Sequence, residues 1–466
     1  MKFFIYVLIL LFPNILWADY LEAYKKIERK YSFDKKSYTF IVKNIAEENR
    51  SIISHNQDKL FNPASVVKII TTYIALKELG PNFKWRSDFL YTGEIIGNTL
   101  HGDIIFRGKG DATFSIEDLE RLIREIHRKG IINIEGDLIL DKSYFSPIEQ
   151  VKDFDKDPLR AYNVLPNPVV IQSNTTNFKF FENDKKIKIE VTPELKNLEV
   201  KNKLKLTDGQ CINWKSNLDY SINFNKLKST IIFSGKFSKK CFEKEINLSV
   251  MDDSQYFYQI FKKLWLSNGG IFNGNVKTTN INILDSKLIK SYFSKPLSES
   301  IRDINKFSLN LMSRNVMLTI LAERKESLVT ESNINNFVKN WLNKNNIDSN
   351  GIFIENGAGL SRITKISAKQ LLDIMEKIYN DPLMPEMISS FPIIGTDGTL
   401  KKRIHYSFER GNGHFKTGSL RDVNAIAGYF LNKNKDMKIF IFMMNDLKAN
   451  QSERLQQDLI DLSYLY

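Results

Sequence analysis

Ser65-Val66-Val67-Lys68 places a hydroxyl and an amine three residues apart in an otherwise apolar run. On a helix this spacing sets both side chains on one face, one turn apart. An amine held against apolar surroundings gives up its proton and can take one from the serine, which makes the hydroxyl a nucleophile. A helix that opens at this point adds its dipole and its free N–H groups beside the oxyanion that such an attack creates. The bare pattern is weak, because Ser32-Phe33-Asp34-Lys35 repeats it in a polar stretch. The apolar helix context selects Ser65 and Lys68.

A second chemical element is Lys416-Thr417-Gly418, followed by Ser419, and this tripeptide occurs once. On the edge of a strand, Lys416 and Thr417 can bind a carboxylate, and Gly418 would let a substrate backbone come close. A third element would be Ser-x-Asn, for which candidates begin at Ser54, Ser221, Ser308 and Ser313. Helix-like periodicity ends near Asn305-Lys306 and resumes around Leu309, so Ser308 falls at a junction where side chains can reach a site. Ser313-Arg314-Asn315 lies inside the second helix, with Ser and Asn on diverging faces. Ser308 and Asn310 are therefore preferred.

These groups need a scaffold. Alternating patterns predict strands at about 37–44 and 50–55, joined by the polar Ala46–Asn49 loop. Pro63 suits a helix start and Gly80-Pro81 a stop. Near the C-terminus, strands are expected from Lys416, over Val423–Leu431 and over Met437–Met444, with a polar helix over Gln451–Tyr464. Two strands at one end and three at the other can complete one antiparallel sheet, leaving the middle of the chain as an insertion. Within that middle, Ser115-Ile116-Glu117-Asp118 resembles a capping box. Residues from about 164 to 245 are rich in Lys and Asn and alternate like a small all-β insert.

The 466 residues exceed one ordinary core and suggest several domains. The net charge of +13 is spread along the chain without a basic block, which argues against nucleic acid and for a solvated or envelope-facing surface. Met1-Lys2, the apolar run Phe3–Phe12 and Ala18 form a secretory leader, with cleavage expected after Ala18 and export to the periplasm. Cys211 and Cys241 are the two cysteines. In an oxidising compartment they can form one disulfide, the alternative being two buried thiols. The five histidines (His55, His101, His127, His405 and His414) show no zinc spacing, so neither metal nor cofactor is expected.

Ser-x-x-Lys, Ser-x-Asn and Lys-Thr-Gly in this order resemble the penicillin-binding protein and serine β-lactamase superfamily. Asn62–Lys68, Gly108-Lys109-Gly110-Asp111, Ile304–Asn310, Glu355–Arg362, Gly395–Arg403 and Lys416–Leu420 resemble one branch of it, the class C D-alanyl-D-alanine carboxypeptidase/endopeptidases of the DacB type (peptidase family S13). Departures are mild: Glu355-Asn356-Gly357-Ala358-Gly359 replaces a more usual Asp-Gly-Ser-Gly, and Leu309 is an apolar middle residue. The resemblance implies an α/β (α+β) transpeptidase-like domain, a five-stranded antiparallel sheet with helices on both faces, over 19–84 and 252–466. It implies two inserted, mostly β domains, at 85–163 with 236–251 and at 164–235. The wide separation of Lys68 from Ser308 suits such insertions, which β-lactamases lack.

The resemblance also implies the roles. Ser65 attacks the carbonyl of the penultimate D-Ala of a peptidoglycan peptide, Lys68 takes its proton, and Ser308 relays that proton to the leaving amine. Asn310 holds the substrate amide, Lys416 and Thr417 its carboxylate, and the Ser65 and Ser419 N–H groups the oxyanion. β-Lactams would acylate Ser65. Family members read the diaminopimelate amine with an acidic residue near aromatics. Phe154, Asp157 and Tyr162 have that spacing, with Asp153 and Asp155 as rivals. A β-lactamase and a catalytically silent envelope-binding protein remain alternatives, and a homodimer or peripheral envelope attachment is compatible with the sequence.

Overall fold

The computed structural model describes residues 21–45, 52–147, 154–224, 228–326, 328–403 and 410–465. The expected leader, the Ala46–Asn49 loop and Asp153 lie outside them. The chain forms two compact units. The first takes the described residues up to Phe83, Pro296–Arg324 and those from Glu331 onward; the second takes Lys84–Lys295 and Lys325–Thr330.

The first unit is built on the expected five-stranded sheet, in the order Ile52–His55, Tyr38–Asn44, Met437–Asn445, Val423–Leu431, Gly413–Leu420. Every neighbouring pair is antiparallel. The two central strands are apolar almost without interruption, as strands covered on both faces must be. On one face Ile426, Phe430 and Phe442 pack with Leu455, Leu459 and Ile460 of the C-terminal helix Glu453–Leu465. On the other, Tyr429 donates to the Met375 carbonyl of the helix Ala368–Tyr379 at 2.7 Å. The buried helix Lys68–Leu79 packs against the helix Asn310–Glu323 and stops at Gly80, whose φ of 83° suits glycine.

The second unit differs from the expected division. Residues 252–295, expected in the catalytic domain, belong here instead. The helix Asp253–Ser267 sets Phe257 against Phe106 and Phe261 against Phe89. The strand Val276–Thr279 runs parallel to Leu138–Asp141, and Lys287–Phe293 pairs with Arg86–Tyr91. Burial of these aromatic rings outweighs sequence distance, and the chain returns to the first unit at Pro296. The two expected insertions share one core cluster, which runs from Phe89 and Phe106 to Phe178, Phe233 and Phe237. The all-β part consists of two three-stranded sheets, and Cys211 is bonded to Cys241. Ser115 and Asp118 form the expected capping box. No helix among the described residues is long and apolar enough to cross a membrane.

Asp111 of the Gly108–Asp111 motif is buried in this unit. Its Oδ1 accepts from the Thr113 N–H (2.8 Å) and hydroxyl (2.6 Å), while Oδ2 has no partner among the described residues. Burial is the largest influence on its carboxyl and raises its pKa to about 6. An acid with a raised pKa binds its proton more tightly in the folded state, so stability falls as pH rises from about 4 to about 6. Asp111→Asn keeps the Oδ1 acceptor and removes the charge. Its stability relative to the unmodified protein should improve by about 2 kcal/mol between pH 4 and pH 7. Denaturant midpoints at the two pH values measure this; an unchanged difference would show that Asp111 is not charged at a cost.

Candidate active site

The site of the first unit is assembled around the turn that carries Ser65. Ala64–Val67 form one 3-10 turn that runs into the helix Lys68–Leu79, so Ser65 stands just before the α-helix proper. Local bonds explain the tighter start. The Asn62 side chain accepts from the Ala64 N–H at 2.8 Å, and the Val66 N–H donates to the Pro63 carbonyl at 3.1 Å. Asn62 is itself held by Asn445 and by the Ser361 carbonyl. The Ser65 N–H has no hydrogen-bond partner among the described residues.

Lys68 is fully buried. Its Nζ lies 2.9 Å from Ser65 Oγ, 2.8 Å from Asn310 Oδ1 and 2.5 Å from the Ala358 carbonyl oxygen. Burial, and secondarily the nearby Lys416, hold its pKa well below the ordinary lysine value. A neutral amine has two N–H donors and one lone pair. The two donors match Asn310 and Ala358, and the lone pair is left to face the Ser65 hydroxyl. Burial of an ammonium and proximity to a second cation both favour this form.

Ser308 occupies the left-handed position (φ 58°) that ends the helix Leu297–Phe307, and Asn310 opens the next helix. Two buried side chains fix this junction. Asn305 donates to Thr72 (3.1 Å) and Ser390 (2.9 Å), and Lys306 bonds the Phe391 carbonyl and Asp397. The competing Ser313 lies within the helix, where its hydroxyl donates to the Gly357 carbonyl at 2.9 Å.

Lys416, also fully buried, donates to Ser308 Oγ at 3.0 Å and to the Thr417 carbonyl at 2.7 Å. Burial lowers its pKa to about 7. It lies on the edge strand Gly413–Leu420. The Phe415 N–H points off that edge to the Pro392 carbonyl, and strand alternation directs the N–H groups of Thr417 and Ser419 the same way. Thr417 Oγ1 is 2.7 Å from Thr399 Oγ1. Gly418 departs from expectation. A Cβ there would meet the Pro63 carbonyl at 2.5 Å and the Ser65 N at 2.9 Å, so its bare face accommodates the serine turn rather than a substrate.

The turn Asn356–Gly359, which the sequence marks only through the resemblance, contributes groups to which no role had been assigned. Asn356 Oδ1 accepts from the Ala358 and Gly359 N–H groups, and Thr71 joins Ser313 in holding the Gly357 carbonyl. Gly359, at φ 78°, lies so close to Ala64 that a Cβ would meet its carbonyl oxygen at 2.0 Å. Backbone carbonyls leave no mark in sequence, so the Ala358 acceptor was not legible there, although the stretch Glu355–Arg362 that holds it carries part of the resemblance.

Asp157 lies in the second unit, where its carboxylate accepts from Tyr220 Oη (2.8 and 2.9 Å) and pairs with Arg160 at 2.8 Å. Its rival Asp155 sits in an exposed turn at φ 61°.

The profile of the D-Ala-D-Ala carboxypeptidase 3 (S13) family matches residues 24–463. D-alanyl-D-alanine carboxypeptidase DacB of Haemophilus influenzae is 25% identical over 421 residues, which cover 89% of this chain and 86% of that protein. The D-alanyl-D-alanine carboxypeptidase of Actinomadura sp. is 23% identical over 389 residues, 79% of this chain and 70% of that one. The crystal structure of penicillin binding protein 4 (dacB) from Haemophilus influenzae superposes with a TM-score of 0.78 at 24% identity, covering 92% of this chain and 96% of its own. The fold is thus that of a penicillin-binding protein, and the chain belongs to the D-Ala-D-Ala carboxypeptidase 3 (S13) family.

Proposed function

We propose that this chain is a periplasmic serine-type D-Ala-D-Ala carboxypeptidase and DD-endopeptidase, which cleaves peptidoglycan stem peptides and cross-links through an acyl-enzyme on Ser65. The observation that carries this is the Lys68 amine, buried between Asn310 and Ala358 with Ser65 Oγ 2.9 Å away. Ser65 attacks the carbonyl of the penultimate D-Ala as its proton passes to Lys68. The ammonium so formed finds acceptors already in place. Negative charge on the tetrahedral oxygen falls to the Ser65 and Ser419 N–H groups, a contribution of about 3 kcal/mol for each donor. Ser308 relays the proton from Lys68 to the leaving amine, Asn310 orients the substrate amide, and Lys416 with Thr417 holds the substrate carboxylate. Water then releases the acyl group. A β-lactam follows the first half of this path and stays on Ser65.

Fluorescent penicillin tests this reading. A stable covalent label on the purified chain, lost in Ser65→Ala, is expected. Rapid turnover of the label would indicate a β-lactamase, and absence of labelling would indicate a silent binding protein.

Asp157 serves as the reader of the diaminopimelate amine in this proposal, with Arg160 and Tyr220 fixing its carboxylate. Asp157→Ala should lower kcat/KM for diaminopimelate-containing peptides by about fivefold, the value of a half-exposed ion pair. Penicillin acylation should not change. An unaltered kcat/KM would reduce Asp157 to a structural partner of Arg160.

A further inference from the structure

The all-β part of the second unit holds a surface that catalysis does not use. Residues 176–248 carry 15 lysines against nine acidic residues, a net +6 of the chain's +13. The strands Leu198–Thr207 and Ser229–Ser238 run parallel and finish together, with Lys205 opposite Lys236. Lys205, Lys236 and Lys240 are exposed and have no ion-pair partner among the described residues. Two of the nearby acids are already matched, Asp208 by Lys239 at 2.9 Å and Glu243 by Lys179 at 3.1 Å.

Just beyond the two strand ends, the disulfide brings Cys211 and Cys241 to a Cα separation of 4.9 Å. The residue after each half-cystine is large, apolar and exposed: Ile212 at 68% and Phe242 at 82%. Phe242 holds a positive φ of 54°, a conformation that a bulky side chain adopts only when its surroundings impose it. Two exposed apolar side chains thus follow the cross-linked cysteines, just past the strand ends that carry Lys205 and Lys236.

We infer that this end of the lysine-faced sheet docks on a bilayer surface that carries anionic phospholipid. A purely anionic polymer would answer the lysines but leave Ile212 and Phe242 in water. A second copy of the same face would set lysine against lysine. A charged lipid surface offers negative headgroups and an apolar interior a few ångströms below them, and it matches both features. Exposed rings at such a boundary insert shallowly while the lysines remain among the headgroups.

Co-sedimentation of the intact chain with phosphatidylcholine vesicles, with and without about 30% phosphatidylglycerol, tests the inference. Binding is expected only with the anionic lipid, and it should weaken at least tenfold between about 50 and about 500 mM salt. Ile212→Ser with Phe242→Ser should reduce binding by about tenfold or more. Lys205→Gln, Lys236→Gln and Lys240→Gln together should reduce it by about a hundredfold, whereas the three Lys→Arg changes should preserve it. Penicillin labelling of each variant confirms that the chain is folded. Equal binding to neutral vesicles, no binding to either, or full binding by both variant sets would overturn the inference. So would loss of binding to purified peptidoglycan sacculi in these variants with vesicle binding intact, which would assign the surface to the polymer.

Discussion

Lys68→Ala is expected to slow acylation of Ser65 by a β-lactam by about 10³–10⁴-fold, the upper part of the range for a positioned general base. The substitution removes the one group whose lone pair can face the serine hydroxyl. It also leaves Asn310 Oδ1 and the Ala358 carbonyl without their buried donor, at a cost of about 2 kcal/mol in stability. Lys68→Arg separates the two effects. A guanidinium can donate to both acceptors, but it does not lose its proton. If Lys68 only filled space or supplied charge, arginine would restore the rate; as a base it cannot be replaced that way. A Lys68→Arg variant retaining more than about one tenth of the rate would therefore refute the assignment. The pH profile carries the same information. In the unmodified chain, acylation should rise with pH as Lys68 becomes neutral. It should fall as Lys416, needed as a cation for the carboxylate, loses its proton near its pKa of about 7. Lys68→Ala should lose the rising limb and keep the falling one.

The parts of this chain that were legible in its sequence are those in which side-chain type and period carry the information. The strand at 38–44 announces itself by alternation and those at 423–431 and 437–445 by apolar runs, and their joining into one sheet followed from there being two at one end and three at the other. Ser65, Lys68, Ser308, Asn310 and Lys416 could be named because their chemistry resides in side chains at fixed spacing. The domain boundary was not legible. The helix Asp253–Ser267 looks like any amphipathic helix, and only its aromatic contacts with Phe89 and Phe106 assign it to the second unit. Nor was the support around Lys68. The Ala358 carbonyl is a backbone group, and the residues that aim its turn, Thr71, Ser313 and Asn356, come from three distant segments. Ser313 shows the difficulty well. Set aside as a motif residue because Ser313 and Asn315 lie on diverging faces of one helix, it serves the site from within that helix by fixing Gly357.

Gly418→Ala is expected to lower acylation by about 10²–10³-fold, and it distinguishes two roles for this glycine. Gly418 does not hold a left-handed conformation, so alanine meets no backbone strain. The penalty comes from contact alone: the new Cβ would lie 2.5 Å from the Pro63 carbonyl, 2.9 Å from the Ser65 N and 3.1 Å from Ala64 Cβ. None of these can easily yield. The Pro63 carbonyl accepts from Val66, the Ala64 N–H is tied to Asn62, and Asn62 is anchored to Asn445 and Ser361. Gly359 is also packed against the Ala64 carbonyl, which leaves the turn little room to yield. The strand and the serine turn must therefore separate, which moves Ser65 Oγ from Lys68 and the Ser65 N–H from the oxyanion. A misplacement of about 1 Å at reacting atoms costs about a hundredfold, and a weakened oxyanion donor extends the loss toward about a thousandfold. Stability should fall by only about 1–3 kcal/mol, as for other overpacked sites. Comparing substrates decides between the roles. Had Gly418 made room for the substrate backbone, Gly418→Ala would penalise a long stem peptide far more than a small β-lactam. Displacement of Ser65 itself predicts parallel losses for both. Acylation by the β-lactam at the unmodified rate, with peptide hydrolysis alone impaired, would return the glycine to the substrate side of the strand.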